Sequence, residues 1–314
     1  MNTKRSFQIK KFIGDRAFYK RYLMLALPMI LQNAITNLVS FLDNIMVGQL
    51  GTEQMSGVAI VNQLIFVYNL AIFGAASAAS IFGAQYFGKG NHEGHMYSFR
   101  FKLYATMFVT ILAITLFITN GENLISLYLT DTAGTGATDV ALRYGKQYLS
   151  IMLIGLVPFA VTQSYATNIK ETGQTFVPMA ASFVAVGSNA VLDFLLIFGI
   201  GPIPKLGVAG AAIATVMSRY IETIIVVLWA HKNRDKNRYL EGAYRGIGMP
   251  FGEFKTIFIK GLPLMLNELF WAAGMTTVTQ CYSVRGLSVI AGLNIATTIT
   301  NLFNIVFIQL GACI

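Results

Sequence analysis

Four carboxylates interrupt otherwise apolar stretches of this sequence: Asp43, Asp193, Glu222 and Glu268. Where such a stretch is long enough to cross a bilayer, an ionisable group inside it is costly and points by default to an ion or substrate path. The four differ in their surroundings. Asp193 follows Asn189 by four residues, so on a helix both project from one side. Its flanks, Ala190-Val191-Leu192 and Phe194-Leu195-Leu196, are apolar. Desolvation of this kind favours the neutral acid, which is what a reversible proton carrier needs. The same acid and amide, with a hydroxyl nearby, would supply hard oxygen ligands to a small cation such as Na+. A hydrogen bond across helices that only holds packing together is the structural alternative.

Asp43 belongs to a stripe. Asn33, Thr36, Asn37, Ser40 and Asn44 recur around it at spacings of three and four, which line one helix face. A stripe of amides and hydroxyls favours a wet internal cavity over an acid touching headgroup water. Glu222 stands three residues after Arg219, and an i,i+3 ion pair with the Arg reaching the interface accounts for both. Glu268 follows Leu262-Pro263 and Asn267, with Trp271 one turn later. It opens its helix on the inner side, and functional and structural roles both stay open for it. Pro28 falls inside the first apolar segment, where it removes a backbone hydrogen bond and invites a kink. Membrane helices also tolerate proline without any functional reason.

Other chemistries find little support. His92 and His95 are spaced by three with no third ligand, and read as a solvated loop beside Lys89 and Glu93. There is no Gly-x-x-x-x-Gly-Lys-Ser/Thr, and Gly88-Lys89-Gly90 reads as a turn closing a helix. ATP-driven export is therefore not expected, and with no nucleophile–base pairing neither is an enzyme; no cofactor is expected. Cys281 and Cys313 fall inside apolar stretches and read as packing residues without a disulfide.

The elements that must carry the acids follow from composition. Apolar residues make up 55% and charged residues 12%, against about 25% charged in soluble domains. A spanning helix needs about 20 mostly apolar residues. Seven segments qualify, at 22–47, 56–83, 103–119, 145–168, 176–199, 208–230 and 257–283, and an eighth runs from 287 to Ile314. The fold class is an all-α polytopic membrane protein. With the N-terminus cytoplasmic, eighteen Lys and Arg residues fall on the inside and four on the outside, as the positive-inside bias requires. The net charge of +9 then belongs to membrane-flanking loops and suits lipid headgroups, so no nucleic acid is expected.

A shift of 235 residues superimposes Leu27-Pro28 on Leu262-Pro263, Leu31 on Leu266, Gly51 on Gly286, Gly57 on Gly292, Ile60 on Ile295 and Asn69 on Asn304. Six spans precede the repeat, so both copies would enter from the same side. The expected architecture is a two-lobe, 12-helix transporter fold. Residues 1–250 form its six-helix N-lobe, and 251–314 an incomplete second lobe holding helix seven and part of helix eight.

Leu42-Asp43-Asn44-Ile45-Met46-Val47-Gly48-Gln49-Leu50-Gly51 resembles the first-helix signature of bacterial multidrug and toxic compound extrusion (MATE) transporters. So does Gly83-Ala84-Gln85-Tyr86-Phe87-Gly88-Lys89-Gly90-Asn91 at the end of the second helix. Lys170-Glu171-Thr172-Gly173-Gln174-Thr175 with Pro178 is similar to the family's fourth-to-fifth loop, with Lys170 where the family usually has Arg. Asn189-x-x-x-Asp193 and Leu206-Gly207-Val208-Ala209-Gly210-Ala211-Ala212 with Ala214-Thr215 are similar to its fifth and sixth helices.

The resemblance implies a plasma (inner) membrane antiporter that exports cationic, amphipathic small molecules in exchange for H+ or Na+. It implies a cation site of Asp43, Asn189, Asp193 and Thr215, which would ligate a metal only if Na+ is the coupling ion. Pro28 matches the family's hinge. Glu268 matches an acid whose place shifts by about a turn between family branches, a possible cavity acid. A monomer is expected. The main departure is length: the family has a full second lobe, so the chain reads as C-terminally truncated. Two rivals stay open, a lipid-linked sugar flippase of the same fold superfamily and a fragment that does not transport alone.

Overall fold

A computed structural model describes residues 15–129, 137–199, 204–245 and 248–283, with single positions between 300 and 311. Eight α-helices are numbered here in chain order: α1 (Arg16–Gly48), α2 (Thr52–Gly88), α3 (His92–Ser126), α4 (Ala137–Met152), α5 (Leu156–Glu171), α6 (Phe176–Phe198), α7 (Val208–Lys232) and α8 (Phe251–Ser283). A single 3-10 turn, Leu153–Gly155, joins α4 to α5, so together they are the fourth expected span. All seven spans expected over 22–283 are helical, and all but α6, which ends one residue early at Phe198, extend beyond their apolar segments. The eighth lies mostly outside the described residues. By length and composition, α2, α3, α4–α5, α6 and α7 can each cross a membrane.

The helix ends are set locally. The Asp15 carboxylate accepts from the Phe18 amide at 2.6 Å and caps α1. The Asn91 side chain accepts from the Gly94 amide at 2.9 Å and caps α3. Successive spans run up and down, with α4 and α5 counted as one, and the end that holds the start of α1 is called basal below, the opposite end distal. The α6–α7 hairpin turns at the distal end through Gly199, whose φ of +72° suits glycine. Just beyond it the two helices close tightly. A Cβ at Gly210 would stand 2.6 Å from the Leu196 carbonyl oxygen.

Between helices in lipid there is no hydrophobic drive to associate, so close backbone packing and interhelical hydrogen bonds carry the fold. Helix α2 illustrates this: Gly74, Ala75, Ala76, Ala78, Ala79 and Gly83 are all buried. Gly57 lets α2 approach α4, since a Cβ there would lie 2.4 Å from the Ala141 carbonyl oxygen. A distal core gathers Val58, Tyr68, Met152, Leu156, Ile197 and Val216. A basal core gathers Phe99, Tyr165, Ile169, Val226 and Tyr239. The outer faces are apolar too: Phe108, Ile111, Leu112 and Ile118 of α3 are all more than half exposed. Their i, i+3, i+4 spacing makes one stripe, the pattern of a lipid-facing surface.

Candidate functional site

Helices α1, α6 and α7 pack together and share a polar seam. On α6, Ser182, Asn189 and Asp193 are all buried, Asp193 to 0% exposure. Spacings of seven and four put them on one face. That face meets α7 and α1. The Ser182 hydroxyl donates to Glu222 Oε1 at 2.5 Å, and Gln32 Nε2 of α1 donates to Ser182 Oγ at 2.7 Å. The seam thus joins three helices through one serine.

The register of the hairpin follows from that contact. Because α6 and α7 are antiparallel, seven residues distal of Ser182 and of Glu222 lie Asn189 and Thr215, at the same depth. Thr215 is half-buried and donates to the Ala211 carbonyl at 3.0 Å. Its oxygen keeps lone pairs for a further partner. Asn189 Nδ2 has no hydrogen-bond partner among the described residues. The carboxylate of Asp193, the Asn189 carbonyl and the Thr215 hydroxyl are hard oxygen donors at neighbouring levels of one seam. Among the described residues no three His, Cys, Asp or Glu side chains group as a metal site.

The other expected residues are placed as follows. Asp43 lies on α1, but its side chain is outside the described residues. Pro28 is inside α1, half-buried, one turn basal of Gln32. Glu268 differs from expectation. Its helix begins at Phe251 rather than at 257, so the acid sits at mid-length rather than at the opening. It is half-buried against Gly74 of α2, where an added Cβ would meet Glu268 Cβ at 3.4 Å.

The Arg219–Glu222 ion pair is not formed among the described residues. Arg219 turns instead to the Gly155 carbonyl at 3.2 Å and lies over the Phe159 ring at 5.0 Å. One turn of α7 points two neighbours to two different helices. Cys281 is a free, exposed thiol, not a packing residue, and Cys313 is outside the described residues.

A second polar seam, unsuspected from the sequence, lies between α3 and α5. Lys102 is fully buried and donates to Asn168 Oδ1 and Glu171 Oε1. His95, expected in a solvated loop, is 1% exposed and contacts Glu171 Oε2 at 3.2 Å. The seam continues distally through Thr106 with Ser164 at 2.9 Å, then Thr110 with Tyr68 at 2.9 Å. Its sequence signal is Lys102, Thr106 and Thr110 at i, i+4, i+8. At its basal end Arg100 donates to the carbonyls of Ala243 (2.9 Å), Gly248 (2.6 Å), Gly242 (2.7 Å) and Arg245 (3.1 Å), fastening the loop before α8. Tyr239 of that loop is fully buried, and burial pushes its hydroxyl above the ordinary tyrosine range.

Comparison with known proteins adds three findings. A family model described as MatE matches residues 28–195. The probable multidrug resistance protein NorM of Thermotoga maritima is 24% identical over 294 residues, covering 90% of this chain and 59% of that protein. Crystal structures of MATE in the bent and the straight conformation each cover 99% of this chain and 66% of theirs. Their TM-scores are 0.79 and 0.78 at 22% and 21% identity. The chain therefore spans about three-fifths of that curated relative's length.

Proposed function

The chain belongs to the MatE family, a family of transporters and not of enzymes, and from that premise we propose that it carries the coupling site of a multidrug efflux antiporter. The cargo is cationic and amphipathic, and the exchanged ion is H+ or Na+. The protein is multi-pass, and the proposal sets it in the plasma (inner) membrane with the N-terminus cytoplasmic. Residues 1–250 then form one lobe and α8 opens the next. The basal end faces the cytoplasm, which suits the loop carrying Lys232, Arg234, Lys236, Arg238 and Arg245.

One observation carries the reading: Asp193, wholly buried, shares a face of α6 with Asn189, one turn beyond the level that Asn189 shares with Thr215 on α7. Helix register supports adding Asp43. Helices α1 and α6 run parallel and are joined at Gln32 and Ser182. Eleven residues distal of those partners stand positions 43 and 193, three turns up with a rotation of only about 20°. A carboxylate on each helix at one depth can share a proton or a cation.

The mechanism follows from charge. Without the ion the two carboxylates repel each other across α1 and α6; one shared proton or Na+ lowers the charge of the pair from −2 to −1 and draws α1 toward α6. Pro28, with no amide to donate, is where α1 can bend as that balance changes. The related crystal structures in bent and straight conformations are consistent with such a pair of states. Cationic cargo fits the acids of the α1/α6/α7 seam, since the buried Lys102 is already neutralised by Glu171.

Asp43→Asn and Asp193→Asn, each made in the gene product at its natural length, test this. Ethidium efflux from cells should be abolished by either while membrane expression stays normal. Efflux that persists in Asp193→Asn removes the reading.

A further inference from the structure

Glu222 plays no part in the cation site just described, yet its carboxylate is held inside the bundle. Ser182 of α6 donates to it at 2.5 Å, and Gln32 of α1 donates to that serine at 2.7 Å. Asp193 lies eleven residues distal of Ser182, about 16 Å along the helix. The two acids are therefore separate stations of one seam, too far apart to pass a proton directly.

The position of Gln32 gives the second station a mechanical meaning. Gln32 stands four residues after Pro28, on the first turn distal of the residue at which α1 lacks a backbone donor. The chain Gln32–Ser182–Glu222 therefore ties α1, just beyond that weak point, to α6 and α7. The strength of the tie depends on charge, because a hydrogen bond to a carboxylate is roughly twice as strong as one to a neutral acid. A proton taken from water at the basal end forms an O–H bond on Glu222 and cancels its charge. Ser182 is then left with a neutral partner, and the tie to Gln32 slackens. Loss of that proton to water restores it.

The charged groups whose fields reach Glu222 are Arg219, on its own helix, and Lys170 at the basal end of α5. Neither makes an ion pair with it among the described residues. Arg219 is committed to the Gly155 carbonyl and the Phe159 ring. The immediate partners of the carboxylate from the packed helices α6 and α1 are thus neutral, Ser182 directly and Gln32 behind it. A permanent cation clamp would hold the tie in one state, whereas a neutral hydroxyl leaves it responsive to protonation.

We infer that Glu222 is a second titrating carboxylate of the transport cycle, a charge-dependent tie that positions α1 beyond Pro28 against α6 and α7. The inference rests on the efflux reading above and adds to it a residue that touches neither cargo nor the distal cation site.

The test uses the natural-length protein with Glu222→Gln, Glu222→Asp, Ser182→Ala and the reference Asp193→Asn. Infrared difference spectra across pH report carboxyl protonation directly. Glu222→Gln should lose one titrating carboxylic-acid band that Asp193→Asn retains, and Glu222→Asp should keep a shifted one. In ethidium efflux from vesicles, Glu222→Gln should be slower by about tenfold, equivalent to about 1.4 kcal/mol, with ethidium binding unchanged. Its pH dependence should be flatter, and Glu222→Asp should restore both. Ser182→Ala removes the donor that favours the charged acid, so the pH profile of efflux should move to higher pH. This variant serves if Glu222→Gln does not fold.

An infrared spectrum in which Glu222→Gln lacks no band overturns the inference. So does a native efflux rate and pH profile in Glu222→Gln, or an unmoved profile in Ser182→Ala. Efflux that survives Asp193→Asn strikes the efflux reading instead, and the infrared result then still decides Glu222.

Discussion

The two polar seams are built from similar residues and held in opposite ways. Between α3 and α5, the buried cation of Lys102 meets the carboxylate of Glu171, Asn168 supplies a second acceptor, and His95 closes the other carboxylate oxygen. Charge is cancelled where it sits. Between α1, α6 and α7, Glu222 has a hydroxyl for a partner, and Asn189 Nδ2 has none among the described residues. A buried pair completed on the spot fixes geometry; removing one partner strands a charge and is strongly destabilising. A buried acid whose partners are neutral leaves its charge to be settled by something that comes and goes. The first seam reads as scaffold, the second as working part.

The contrast can be broken by substitution, and the largest effect belongs to the scaffold. Lys102→Met leaves Glu171 buried without its cation and should cost about 3–5 kcal/mol. The check is thermal unfolding in detergent, where the melting temperature should fall sharply. Adding Glu171→Gln should recover much of the loss, because the stranded charge is gone. If Lys102→Met is as stable as the parent, the scaffold reading of this seam fails. By contrast, Asp193→Asn in the working seam should silence transport and leave the melting temperature close to native.

The smallest effect marks the other limit. Lys146 and Glu122 pair at 2.5 Å, but their side chains are 50% and 58% exposed. Lys146→Ala should change stability by no more than about 0.5 kcal/mol and leave efflux unaltered. A loss comparable with that of Lys102→Met would mean that burial does not separate the two kinds of ion pair.

Much of this was legible in the sequence, and the boundary of legibility has a physical cause. The spans showed because lipid demands an unbroken apolar run, and a run of some 20 residues is visible without knowing its neighbours. Asp193 with Asn189 showed because one helix turn amid apolar flanks is local information. His95 and Lys102 did not show. Hydropathy trims a helix to its apolar centre, so α3, which begins at His92, was placed from 103, and its first three turns looked like loop. Inside the bundle those turns are buried against α5 and the loop that Arg100 fastens.

Glu222 was misread for a related reason. Its sequence neighbour Arg219 was a plausible partner at i,i+3, whereas its actual partner, Ser182, is 40 residues away and appears only when α6 and α7 are set in register. Glu268 was misplaced because the true start of α8 lies among polar residues that no apolar window includes. Local spacing finds the acids; only packing tells which of them are already answered.

Whether one pocket joins α1 to α6 is most directly measured by cross-linking positions 43 and 193. In the natural-length protein with Cys281 and Cys313 replaced by Ser, Asp43→Cys is combined either with Asp193→Cys or with Val191→Cys. Val191 is 60% exposed, on the outer side of α6. A short bifunctional thiol reagent should link 43 to 193 rapidly and 43 to 191 scarcely at all. Equal linkage of both, or linkage of 191 alone, would place the two acids in separate surroundings and contradict a shared coupling site.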